Sequence, residues 1–234
     1  MITMLGVMAQ GAVVSLAVFS LTVLFSLPLA LPIALGRMSK NRLLRTIINL
    51  YLLIMRGTPL ILQLIFIYFA PKYLYQFLYT HLSSALPSVY LWQALKLLLS
   101  YNRFTAVILA FVLNYAAYFA EIYRGGIESI PKGQYEAAKV LGFTEWQTFS
   151  RLILPQVIKR ILPATGNEVI TLVKDTALAQ TIGVAELFHA AQNAASREFS
   201  TVPIFIAGVF YFVMNWAVSV GFVWIEKKLS YYKG

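Results

Sequence analysis

The chain has 234 residues, 59% of them hydrophobic and only 12% charged, with a mean hydropathy of +0.72 and a net charge of +10. A water-soluble domain carries about twice that charged fraction, so the composition excludes an ordinary soluble fold and calls for a bilayer as solvent. The absence of cysteine excludes a disulfide framework and a thiolate metal site, and two lone histidines, His81 and His189, do not suggest a zinc or haem centre.

The first apolar run, residues 1–36, contains no charge, and Arg37, Lys40, Arg42 and Arg45 follow it. A cleavable signal peptide has its positive charge ahead of the apolar core. This start is therefore expected to be a retained span with its N-terminus outside, bent by Pro28 and Pro32. A second run, 46–70, is interrupted by Arg56-Gly57-Thr58-Pro59. The third is 104–123. The fourth, 161–183, is the least apolar and holds Glu168, Lys174 and Asp175. The fifth, 199–225, is free of charge. Each can cross about 30 Å of hydrocarbon as a helix, and a lone strand could not satisfy its backbone in lipid.

The expectation is an all-α integral membrane protein of about five spans. It forms a single domain, with its C-terminus in the cytoplasm. Its inside segments are then 37–45, 124–160 and 226–234, which hold thirteen of the nineteen lysines and arginines. That bias explains the basic balance by cytoplasmic loops and makes nucleic acid an unnecessary partner. The outer loop 71–102 is long and aromatic (Tyr73, Tyr75, Tyr79, Tyr90, Trp92), which suits a membrane–water interface and predicts a helix within it.

The inner loop 124–160 is patterned. Pro131 and Gly142 bracket a short helix. Thr144 with Gln147 fits a capping box that opens a second helix, expected to run to about Leu152 and to be closed by Pro155. Physics alone leaves two readings, a solvated loop packed under its own bundle or a docking site for a partner.

Within this loop stand Glu136-Ala137-Ala138, Gly142, Leu152 and Leu154-Pro155. The series resembles the EAA motif of the membrane subunits of bacterial ABC importers of the type I fold: Glu-Ala-Ala, three residues, Gly, nine residues, Ile, one residue, Leu-Pro. Leucine replaces the isoleucine. "RGTPLILQL" (56–64), "NYAAYFAEIYRGGIESIPKGQ" (114–134) and "KDTALAQTIG" (174–183) are similar to stretches of polar amino acid permeases, with Ala177 where serine is usual. The resemblance implies a type I permease core over roughly 11–225, and a coupling loop that fits a groove on cytoplasmic ATP-binding subunits. It also implies a second permease chain, an extracytoplasmic solute-binding protein, a polar amino acid as substrate, and a bacterial inner-membrane location among lipid. ATP and Mg²⁺ would be bound by the partner ATPase, with no cofactor in this chain.

Asn114, Tyr118 and Glu121 share one helix face, as do Glu168, Thr171 and Asp175. Such groups in a membrane line pathways or tie helices together by hydrogen bonds. Glu121 and Asp175 could meet an ammonium and Arg56 a carboxylate. Arg56 could equally pin its helix end or pair with an acid. Asp175 is expected to face the path and its neighbour Lys174 to point elsewhere. The chain has no G-x-x-x-x-G-K-[ST] phosphate cradle, so an ATP-driven permease must borrow its ATPase. A secondary transporter for a small polar solute is the alternative; it often shows two related halves, and no internal repeat is seen. An intramembrane enzyme would want a nucleophile–base pair in a span.

Overall fold

The computed structural model describes residues 2–86 and 88–229, and among these every regular element is helical. The expected inside segment 226–234, with Lys233, lies partly outside the described residues. Four helices are long and apolar enough to cross a membrane: α1 (Ile2–Arg37), α3 (Leu60–Leu82), α5 (Arg103–Glu128) and α10 (Val202–Leu229).

α5 is the axis of the molecule. It buries Ala106, Ala110, Ala117 and Ala120 completely or nearly so, beside Phe111, Tyr115 and Phe119. Those alanines let α1 approach along a stripe repeating every fourth residue: Val18, Thr22, Ser26, Ala30 and Ala34, all fully buried. Lipid tails are as apolar as leucine, so close packing of small residues holds membrane helices together where the hydrophobic effect does not. α1 runs without interruption through Pro28 and Pro32.

The second expected span is two helices, α2 (Arg42–Gly57) and α3, broken at Thr58 and Pro59. Proline cannot donate the hydrogen bond that would carry the helix on, and the freed carbonyls need partners away from water. Gln63 Nε2 supplies them, lying 2.9 Å from Met55 O and 3.0 Å from Thr58 O. α3 then continues to Leu82, past the expected end of the span at 70. With α4 (Val89–Leu99) it makes a hairpin of what the sequence presents as an outer loop.

The fourth expected span is also a composite. α8 (Leu154–Asp175) starts beside the end of α5, where Arg160 Nη1 donates to Ser129 Oγ at 3.0 Å. It ends level with Tyr115, and the chain goes on as a 3₁₀ helix (Thr176–Ile182) to Gly183, whose carbonyl faces Arg103. α8 has the length of a span but carries too much charge to count among the four apolar ones. α9 (Leu187–Glu198) packs Leu187, Ala191 and Ala194 against Met4, Met8 and Ala12 of α1 and Ala207 of α10.

Candidate functional site

The inner loop forms as a rigid unit. α6 (Lys132–Val140) begins after Pro131. At its end Gly142 N–H donates to Lys139 O (3.1 Å) and Phe143 N–H to Ala138 O (3.0 Å), the reciprocal pair of a Schellman cap. Gly142 takes φ +76°, the left-handed conformation that such a cap requires and that favours glycine. Thr144 then caps α7 (Glu145–Gln147). Its Oγ1 accepts from Gln147 N–H (3.2 Å), and Gln147 Oε1 accepts from Thr144 N–H (2.9 Å), closing the expected capping box.

Pro155 does not end this helix. After α7 the chain widens into a π-helical stretch (Thr148–Ile153) and runs directly into α8, with Leu154 and Pro155 in its first turn. Pro155 lacks the N–H that would continue the ladder, and it stands directly after the widened π-helical turns. Leu154 N–H donates to Phe149 O, five residues back.

The unit is seated by Ile127, Ile130, Ile153 and Val157, and by a reciprocal pair between the amides of Gln134 and Gln156 (3.1 and 2.6 Å). Ala138 is buried, whereas Glu136 and Ala137 are exposed. The turn itself presents Val140, Leu141 and Trp146 with roughly three quarters or more of their surface free (88%, 73% and 73%). A concavity lined by Tyr135, Lys139, Phe143, Glu145 and Phe149 separates α6 from α7, and partial burial there pushes the Tyr135 phenol pKa up.

The polar residues of α5 fall on one face, and the structure gives each a partner. Asn114 is buried and donates to Met55 O (2.9 Å) and Gln63 Oε1 (3.0 Å), so its amide completes the repair of the α2–α3 break. Tyr118 lies under Arg56, whose guanidinium carbon is 5.6 Å from the ring centroid, within cation–π range. Glu121 accepts from Arg124 (2.6 Å) and from Arg37, and Arg56 approaches it to 3.8 Å. Arg124 also pairs with Glu128. The ends of α1, α2 and α5 are thus joined by three guanidiniums around one carboxylate. Arg56 is the loosest of the three and remains 39% exposed.

On α8, Asp175 accepts a hydrogen bond from Tyr115 OH at 2.7 Å, at the point where the α-helix gives way to 3₁₀. Lys174 is exposed while Asp175 is partly buried, so the two diverge as adjacent helical residues must. Thr171 is exposed and its hydroxyl returns to Asn167 O (3.0 Å). Glu168 is partly buried two turns before Asp175. The Tyr115 and Tyr118 rings, their centroids 6.5 Å apart, thus connect Asp175, bonded to Tyr115, with Arg56, which lies over Tyr118.

Two residues escape the sequence reading. Tyr115 sits one position off the polar stripe and reads as an apolar aromatic. Glu186 is fully buried: its carboxylate accepts from Phe188 N–H (2.8 Å), His189 N–H (2.7 Å), Tyr211 OH (2.8 Å) and Ser15 Oγ (3.3 Å), joining α1, α9 and α10. A lone acid outside any periodic pattern gives no signal for this role.

Residues 26–231 match the family model described as the binding-protein-dependent transport system inner membrane component. The nopaline transport system permease protein NocM of Agrobacterium fabrum is 37% identical over 85% of this chain and 78% of its own length. The L-cystine transport system permease protein TcyB of Bacillus subtilis is 36% identical over 97% and 88%. A crystal structure of an amino acid ABC transporter with histidines superposes with a TM-score of 0.78 at 31% identity, covering 97% of this chain and 96% of that one. The MetNI methionine ABC transporter in inward-facing form shares the fold, with a TM-score of 0.71 at 17% identity. By the family match and these relatives, the chain belongs to the family of inner membrane components of binding-protein-dependent transport systems.

Proposed function

We propose that the chain forms the membrane pathway of an ATP-driven importer for a polar amino acid, with ATP and Mg²⁺ held by cytoplasmic ATP-binding partners. The observation that carries this is the 131–155 unit: a doubly capped turn, seated on α5 and α8, that exposes Val140, Leu141 and Trp146. A loop that merely solvated its own bundle would turn such side chains inward. A second permease chain would complete the path, and an extracytoplasmic binding protein would deliver the solute.

Relatives named for glutamine, cystine and nopaline support an amino acid as substrate. In this reading Asp175 meets the ammonium at the α-to-3₁₀ junction, with Thr171 and Glu168 on the same approach. Arg56, with donors to spare, meets the carboxylate beside Tyr118. Glu121 is already surrounded by Arg37, Arg56 and Arg124, so its part is to hold the arginines in place. Asn114 keeps the α2–α3 break in register.

Purification of the chain with its neighbours, followed by ATPase measurements on the reconstituted complex across a panel of amino acids, tests the reading. The expected result is a co-purifying ATPase stimulated by one or a few polar amino acids in the presence of a binding protein. A chain that transports alone, driven by an ion gradient, refutes it.

A further inference from the structure

The hairpin built from the end of α3 and from α4 contributes none of the residues on which the proposed function rests. Arg103 Nε reaches Tyr68 OH at 3.5 Å where α5 begins, and α3 continues beyond that point to Leu82 before α4 folds back on it. The contact between the two helices is aromatic. Tyr75 and Tyr79 stack at 5.9 Å, and Trp92 meets them edge-on at 6.5 and 5.4 Å. The indole N–H is tied to Leu86 O at 2.9 Å, which fixes the ring. These rings, with Ser83, Gln93 and Lys96, line a cleft of about 340 Å³.

Around the cleft the surface is apolar. Tyr90 is 86% exposed, Leu97 81% and Leu98 73%. The charge is one-sided: the sequence has no Asp or Glu before Glu121, and the hairpin carries Lys72 and Lys96. Lys72 lies over the Tyr68 ring, its Nζ 4.0 Å from the centroid. Among the described residues Lys96 has no carboxylate partner and opens on the cleft. Leucine and aromatic side chains around a lysine are the composition of a segment lying in the membrane interface, and a water-facing docking surface would not leave them so bare.

We propose that the α3–α4 hairpin binds phospholipid, seating an anionic headgroup in this cleft. Lys96 faces the phosphodiester, Gln93 and Ser83 donate to its oxygens, and Tyr75, Tyr79 and Trp92 support the glycerol and upper acyl carbons. The surrounding leucines enter the acyl region. This assignment does not depend on which solute is carried.

The test is native mass spectrometry of the detergent-purified transporter complex after addition of phosphatidylglycerol or, in parallel, phosphatidylcholine. The complex is expected to retain phosphatidylglycerol preferentially. Lys96→Gln should cut that occupancy about fivefold, the effect of one lysine at an anionic surface, and leave phosphatidylcholine unchanged. Inorganic phosphate should not displace the lipid. Equal retention of the two lipids, retention indifferent to Lys96→Gln, or displacement by inorganic phosphate overturns the proposal. Because the chain lacks cysteine, Leu97→Cys supplies a unique thiol. In nanodiscs containing phosphatidylglycerol it should resist a charged, membrane-impermeant maleimide. Ready labelling, a disulfide between two copies, or a cross-link to an extracytoplasmic protein would each assign the surface to another occupant and overturn the proposal.

Discussion

Replacing Gly142 by valine isolates the contribution of turn geometry to the proposed coupling. A Cβ at Gly142 meets nothing within 4 Å, so the cost of adding it is conformational. At φ +76° an L-residue loses about 1–2 kcal/mol, and a β-branched one lies at the upper end. If the turn relaxes to negative φ, the bonds from Gly142 N–H and Phe143 N–H to Lys139 and Ala138 are lost together, at about 1 kcal/mol each. Either way the native cap is disfavoured by about 2 kcal/mol, a roughly thirtyfold shift in its population. The expected result is membrane insertion at the normal level, with weakened ATPase-subunit association and uptake reduced at least tenfold. Gly142→Asn should retain much of the activity, since asparagine tolerates the left-handed region. Gly133→Ala is the control: it lies in α6, the helix that Gly142 caps, a Cβ there meets nothing within 4 Å and its φ is not positive, so it should be neutral or slightly stabilising. Pull-down of the ATP-binding subunit and solute uptake in vesicles measure both effects. Wild-type association and uptake in Gly142→Val would refute the reasoning.

Two further substitutions separate pathway from scaffold. Asp175→Asn keeps an acceptor for Tyr115 OH but removes the charge, so substrate-stimulated ATPase should fall strongly while the melting temperature of the complex holds; a lowered melting temperature with normal substrate response would make Asp175 a helix tie. Glu186→Gln replaces one carboxylate oxygen by a donor facing N–H and O–H donors, so it should cost about 1–3 kcal/mol of stability. Thermal unfolding of the complex measures that loss, and an unchanged midpoint would show that the α1–α9–α10 junction does not depend on the carboxylate.

Much of the 131–155 unit is legible in the sequence because its punctuation is local. Pro131, Gly142 and the Thr144–Gln147 pair each act within one turn of themselves, and each does what its chemistry predicts. Pro155 misled because the same residue suits a helix start or a helix stop, and nothing in the sequence announces the π-helical stretch that lets the chain run on. The break at Thr58 and Pro59 could be seen, but the groups that repair it could not, since Gln63 is nearby in sequence and Asn114 is distant. On its stripe Asn114 reads as a pathway residue, and the structure adds that its amide donates to Met55 O and Gln63 Oε1. Tyr115 and Glu186 act through long-range partners, and periodicity carries no information about those.

The 3₁₀ stretch after Asp175 makes this part of the chain longer than the same residues would be as α-helix. Seven residues at about 2.0 Å of rise cover about 14 Å, whereas the same residues wound as α-helix would cover about 10.5 Å. Winding the same residues as α-helix would draw Gly183 toward Asp175 by about 3.5 Å and rotate the far end of the stretch by about 140° relative to the near end, about 20° more with each residue. Gly183 is anchored to Arg103 at one end and Asp175 to Tyr115 at the other. Both ends of the stretch are thus tied to α5, and a change of winding between them would turn an axial displacement into a rotation of the side chains from Thr176 to Ile182.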